Sequence, residues 1–145
     1  MSRKDLFHEA VKCALRKDGW TVTHDPFTVQ ISETITLKID LGAENAIAAE
    51  RGHEKIAVEI KSFLSDSDIS EFHAALGQYL NYLQALEEKE PERTLHLAVP
   101  VETYRDFFQL PFVQKSLQRY AVNVITYSPS KEELEQWIDF RSTSR

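Results

Sequence analysis

The stretch Ile56-Ala57-Val58-Glu59-Ile60-Lys61-Ser62-Phe63 decides how this chain is read. Its apolar and β-branched residues predict a strand, yet it carries a carboxylate and an ammonium two residues apart. Residues so spaced on a strand point to the same side, roughly 6–7 Å apart along it. One face therefore reads Ile56, Val58, Ile60 and packs, whereas the other reads Ala57, Glu59, Lys61 and presents a carboxylate beside a lysine. Unpaired charge in an apolar setting costs several kcal/mol, so such a pair needs satisfied partners or a task. Holding a divalent metal and neutralising a phosphate is one such task.

Outward from this strand, Leu6, Ala10, Val11, Ala14 and Leu15 recur at helical spacing and stop before Asp18-Gly19, a helix end. Trp20 to Val22, Phe27 to Ile31 and Thr34 to Ile39 read as short strands, with Leu41-Gly42 allowing a bend. Ala46 to Glu50 and Lys55 to Phe63 flank the turn signal Arg51-Gly52-His53-Glu54 and predict a hairpin. Polar Ser65 to Ser70 precedes an apolar helical stripe of Ile69, Phe72, Leu76, Tyr79, Leu80, Leu83 and Leu86. Leu95 to Val99 and Val122 to Tyr127 read as strands around a helical segment, Val101 to Tyr120, broken at Pro111, and Lys131 to Ile138 reads as a closing helix. The order predicts one α/β domain over residues 1–145, a mixed sheet with helices on its faces.

With 145 residues and 42% hydrophobic content the chain suits one core rather than two. No apolar run approaches the ~18–20 residues of a membrane span, and the polar start lacks a signal-peptide pattern, which predicts a soluble, cytoplasmic protein with no membrane partner. The single cysteine, Cys13, falls among the apolar positions of the first helix and reads as a buried thiol. A net charge of -6 argues against a broad basic surface that grips nucleic acid, so DNA contact is expected to be weak alone, local, metal-assisted or shared with a partner. The five histidines show no zinc-ligand spacing. Tyr104, Phe107, Phe108 and Phe112 give the later helical segment an aromatic load, read first as core and second as an oligomer or partner surface.

A two-residue turn fixes which hairpin positions face each other. A Gly52-His53 turn places Ala46 opposite Glu59 and Glu44 opposite Lys61; an Arg51-Gly52 turn places Glu44 opposite Glu59. In either register Glu44, Ala46, Ala48 and Glu50 share the face of Ala57, Glu59 and Lys61, and small alanines there leave room for a metal and a substrate. Asp40, just before the Leu41-Gly42 bend, is the other candidate acid, and the choice between Asp40 and Glu44 stays open. Two or three carboxylates hold Mg²⁺ or Mn²⁺ while leaving positions for water and phosphate, and a lysine stabilises charge on phosphate oxygens. The competing structural account is an ion pair of Glu59 or Glu44 with Lys61 on a solvated sheet face, worth at most about 1 kcal/mol.

These residues resemble the PD-(D/E)xK (restriction-endonuclease-like) nuclease superfamily, in which an acidic residue precedes a Glu-x-Lys strand. Glu59-Ile60-Lys61 matches the second half of that motif, and Asp40 or Glu44 the first, with Ala43-Glu44 standing where the superfamily has Pro-Asp. Gln78-Tyr79-Leu80-Asn81-Tyr82 looks like the Q-x-x-x-Y element of RecB-like members, and Glu9 matches an acidic position that some members use as an extra metal or lysine partner. The resemblance implies a nuclease-like core with an extra N-terminal hairpin, catalytic Glu44, Asp40, Glu59 and Lys61, metal ligation by Glu44, Asp40 and Glu59, support from Glu9, Gln78 and Tyr82, and Mg²⁺ or Mn²⁺ as cofactor. More narrowly, Asp40-Leu41-Gly42-Ala43-Glu44, Ile47-Ala48-Ala49-Glu50, Ile56 to Phe63 and Ala75-Leu76-Gly77-Gln78-Tyr79-Leu80 resemble the XisH-like controlling factors for excision of the fdxN element in cyanobacteria. That resemblance implies a role in programmed DNA excision beside a separate recombinase and a small XisI-like companion factor, with a homodimer as the other assembly to expect.

Overall fold

In a computed structural model, which describes residues 2–48 and 52–140, the decisive stretch runs through the interior of a six-stranded mixed sheet. With elements numbered in chain order, the sheet is built from β1 (Thr21–His24), β4 (Leu41–Ala48), β5 (Gly52–Ile60), β6 (Arg93–Pro100), β7 (Asn123–Ser128) and β8 (Glu133–Asp139), in the order β1-β4-β5-β6-β7-β8. Strands β5, β6 and β7 are parallel; the outer pairings are antiparallel. A separate hairpin, β2 (Phe27–Gln30) with β3 (Thr36–Ile39), supplies the extra N-terminal hairpin.

Helix α1 (Arg3–Lys17) starts at a capping box between Ser2 and Asp5 and ends before Gly19, whose φ of 93° suits glycine. It covers one sheet face, where Val11, Leu15 and Trp20 pack with Leu41, Ile56, Val58, Ile125 and Tyr127. Helix α2 (Asp68–Lys89), capped by Ser67, covers the other face together with the small hairpin. Helices α3 (Val101–Asp106) and α4 (Pro111–Arg119) add Phe108, Val113 and Leu117 to that second core, with Pro111 beginning α4.

Four expectations are corrected. Residues 133–139 form a strand, not a helix. Leu134 and Ile138 have helical spacing, but the register slips at Glu135, so Leu134 packs toward α1 and Ile138 toward α2. The Glu59 face of β5 is not left to solvent, since Ala57 packs under α2 and the hairpin. The space beside Gly42 is taken: a Cβ there would lie 3.1 Å from Phe27 Cδ1 and 3.1 Å from His24 Nδ1. Small residues on this face thus admit a hairpin rather than a substrate. Gly52 and His53 are paired with Ala48 and Ala46 inside the ladder, so neither candidate two-residue turn forms; residues 49–51, with Glu50, lie outside the described residues. Leu6 is 53% exposed and Cys13 only half-buried, because the α1 stripe that meets the sheet is the narrower Ala10, Val11, Ala14, Leu15. The first reading of the later aromatics holds: Phe108 is fully buried, with Tyr104 and Phe107 packed against that core, while Leu110, the 68%-exposed Phe112 and Tyr120 are the open large apolar residues of that segment.

Candidate functional site

The β4–β5 ladder pairs Leu41 with Val58 and Glu44 with Lys55. One step before Leu41 stands Asp40, at the bend where the chain leaves β3 and enters β4, and this brings it across from Glu59. The two are tied reciprocally: Ile60 N–H donates to Asp40 Oδ2 at 2.8 Å, and Asp40 N–H donates to Glu59 Oε1 at 3.3 Å. Glu44 shares this face, as parity requires, but lies four residues along the strand, roughly 13 Å away, opposite Lys55. Of the two acids left open by sequence, the structure brings Asp40 to Glu59.

Lys61 continues the face beyond the end of β5, its Nζ 3.4 Å from Glu59 Oε2. Its backbone is held on both sides, the N–H donating to Ala98 O at 2.9 Å and the carbonyl accepting from the Tyr127 hydroxyl at 3.2 Å. Two residues later Phe63 adopts a φ of 53° and turns the chain toward α2. The site therefore sits at the carboxyl end of a parallel strand, where α/β sheets commonly open a crevice.

That crevice is a cleft of about 270 Å³ whose walls include Asp40, Glu59, Lys61 and Ser62 from the sheet edge, Glu71 from α2, and Lys4, Asp5 and His8 from α1. Glu59 is only 5% exposed. Burial pushes its carboxyl up to about 7, and the charge of Asp40 adds to the rise, against the pull of Lys61 and of the Asp40 backbone hydrogen bond. An ion pair on a solvated face is thus not what the structure contains. Tyr82 on α2 is half-buried, its hydroxyl raised to about 12 by burial and then by the charges of Glu59 and Asp40, which puts it within electrostatic reach of the pair. Burial, then Asp40, likewise raises the Tyr127 hydroxyl.

Gln78 is exposed and outside the cleft walls, and so is Glu9, which lies 3.9 Å from Lys12. Lys4, Asp5, His8, Ser62, Glu71 and Tyr127 were not picked out by sequence reasoning. The one available signal was that Lys4 and His8 stand a helical turn apart on the polar side of α1. Among the described residues His8, Glu9 and Asp25 also bring ligand atoms within 4.8 Å of one another, but Lys12 Nζ, 2.7 Å from Asp25 Oδ2, already supplies the cation there.

Fold and site together define an α/β protein with a mixed sheet flanked by helices and an acidic, lysine-bearing cleft at the end of its inner parallel strand. The chain belongs to the XisH protein family, which it matches over residues 1–135. It is similar to the crystal structure of an XisH family protein from Nostoc punctiforme PCC 73102, at 48% identity over 92% of this chain and 99% of that one, with a TM-score of 0.84. It is also similar to the crystal structure of an fdxN element excision controlling factor protein from Anabaena variabilis, at 48% identity over 92% and 98% of the two chains, with a TM-score of 0.83. A search of curated proteins returned no significant match.

Proposed function

We propose that this protein is a controlling factor in programmed excision of a DNA element, and that its cleft is a restriction-endonuclease-like, metal-dependent site for phosphodiester hydrolysis. The role is that of the Anabaena variabilis relative. The observation that carries the chemistry is the apposition of Asp40 and Glu59 across β4 and β5 with Lys61 two residues on. The donor set fits Mg²⁺ or Mn²⁺: two hard carboxylates, one of them so poorly solvated that it holds a proton up to about pH 7. Asp40 and Glu59 would hold the ion, which when bound supplies Lewis-acid polarisation of a phosphoryl oxygen and a more acidic water. Lys61 keeps donors beyond the one facing Glu59 and offers them to a phosphate oxygen or an attacking water. The anchored backbone of Lys61 and the contact of its Nζ with Glu59 keep that ammonium at the cleft.

The test is a metal titration followed by a cleavage assay. Binding to the folded state alone stabilises by RT ln(1 + [L]/Kd), roughly 2.7 kcal/mol at a hundredfold excess over Kd. Mg²⁺ or Mn²⁺ is expected to raise Tm in the wild type and not in Glu59→Ala. Cleavage of DNA is expected to require the metal and to vanish in Lys61→Ala, with cooperative unfolding retained. No metal-dependent change at millimolar concentrations would overturn the metal-site reading.

A second reading, a catalytically silent module acting through an XisI-like companion or a homodimer within a recombinase pathway, is favoured by the net charge of -6 and by exposed Leu110 and Phe112. In that reading the buried Glu59–Lys61 pair is structural, and DNA is gripped mainly by the partner.

A further inference from the structure

We propose that His8, oriented by Asp25, is a phosphate-contacting residue of the Asp40–Glu59–Lys61 cleft. The inference rests on the reading of that cleft as a phosphodiester site and names a further residue within it. His8 lines the cleft from α1, facing residues of the β5 end. Its Nε2 lies 2.8 Å from Asp25 Oδ1, and the other oxygen of Asp25 accepts from Lys12 Nζ at 2.7 Å. Asp25 stands at the reversal between β1 and β2, so two separate elements meet at this carboxylate. His8 and Lys12 are one helical turn apart on α1 and share it between them. With Asp25 ionised and acceptor-only, Nε2–H is the donor, which fixes the ring plane, and in the imidazolium Nδ1–H is the second donor, the one left for a phosphate oxygen. A carboxylate behind an imidazole that borders a reactive site is the usual way a protein sets ring orientation.

The cleft also needs such a group on electrostatic grounds. Its walls carry Asp5, Asp40, Glu59 and Glu71 against Lys4 and Lys61, so a phosphodiester entering between α1 and β5 meets more acid than base. Lys61 serves the β5 side. A hydrogen bond from the α1 side must come from a group that is held in place, and His8 is anchored whereas Lys4 is exposed. Clamping α1 to the β1–β2 reversal is the alternative role for the His8–Asp25 contact, and it predicts effects on stability without effects on ligand.

The experiment uses the full chain uniformly labelled with ¹³C and ¹⁵N, with the dinucleotide thymidylyl-thymidine as probe and Ca²⁺ as the ion to suppress turnover. Free protein is expected to show His8 with a proton on Nε2, and the dinucleotide complex to show protons on both ring nitrogens. Adding dinucleotide should shift the His8 Nδ1 resonance, and His8→Gln should weaken dinucleotide binding about tenfold, the worth of one charge-assisted hydrogen bond. Asp25→Asn should keep His8 but blunt its response, and Tm of each variant is measured in parallel. If the dinucleotide perturbs Lys61 and Glu59 resonances while His8 stays unmoved and His8→Gln binds normally, the inference fails and the cleft reading stands. If it perturbs none of them, both fail. Loss of Tm in His8→Gln with unchanged dinucleotide affinity identifies a structural clamp and also overturns the proposal.

Discussion

Burial of Glu59 gives this chain a pH dependence that follows from one side chain. Its carboxyl ordinarily titrates near 4.5 and here titrates near 7. Between those values the folded protein keeps a proton that the unfolded chain releases, so stability falls as pH rises from about 4.5 to about 7 and is level above. Glu59→Gln removes the titration but keeps the shape. The variant is expected to lack this decline and to exceed the wild type at pH 8 by at most about 3 kcal/mol. Urea unfolding at pH 4.5 and pH 8 measures it, and an equal decline in both proteins would mean the carboxyl is not destabilised by burial. That a carboxylate and a lysine share a strand face was legible in Glu59-Ile60-Lys61. That the face is covered was not, because Ala57 and Gly42 look like open space until a hairpin is seen lying on them.

At the scale of elements, two glycines make opposite predictions. Gly42 on β4 lets the β2–β3 hairpin approach, and an alanine there crowds Phe27, which is buried, and His24. Gly42→Ala is expected to cost about 1–3 kcal/mol. Gly77 lies within α2, and a Cβ added there meets nothing within 4 Å, so Gly77→Ala should stabilise by up to about 1 kcal/mol. Urea midpoints of the two variants test both signs, and a neutral Gly42→Ala would show that the hairpin is not seated on β4. The helices were legible because α1 and α2 carry caps and apolar periodicity. Strand β8 was not: a slip at Glu135 lets Leu134 and Ile138 serve opposite faces while keeping the spacing of a helical stripe.

For the whole molecule, charge and exposed apolar surface point to shared work. A chain of net charge -6 is expected to bind DNA weakly by itself, with affinity falling steeply as salt rises. Phe112→Glu, at a position open to solvent, should leave stability within about 0.5 kcal/mol and weaken self-association or companion binding in sedimentation experiments. Tight, salt-resistant DNA binding by the isolated chain would refute this division of labour. Sequence alone determined that residues 56–60 are a strand, that Glu59 and Lys61 share its face, and that Glu44 lies on the matching side of the neighbouring strand, with Asp40 as a candidate just before it. Those statements depend only on the two-residue period of a strand, which every even shift of register preserves. Which acid meets Glu59 was decided by tertiary structure. Backbone pairing is equally satisfied in several registers, and the choice among them came from the core that Leu41, Ile56 and Val58 form with α1, and from the hairpin seated against Gly42 and Ala57.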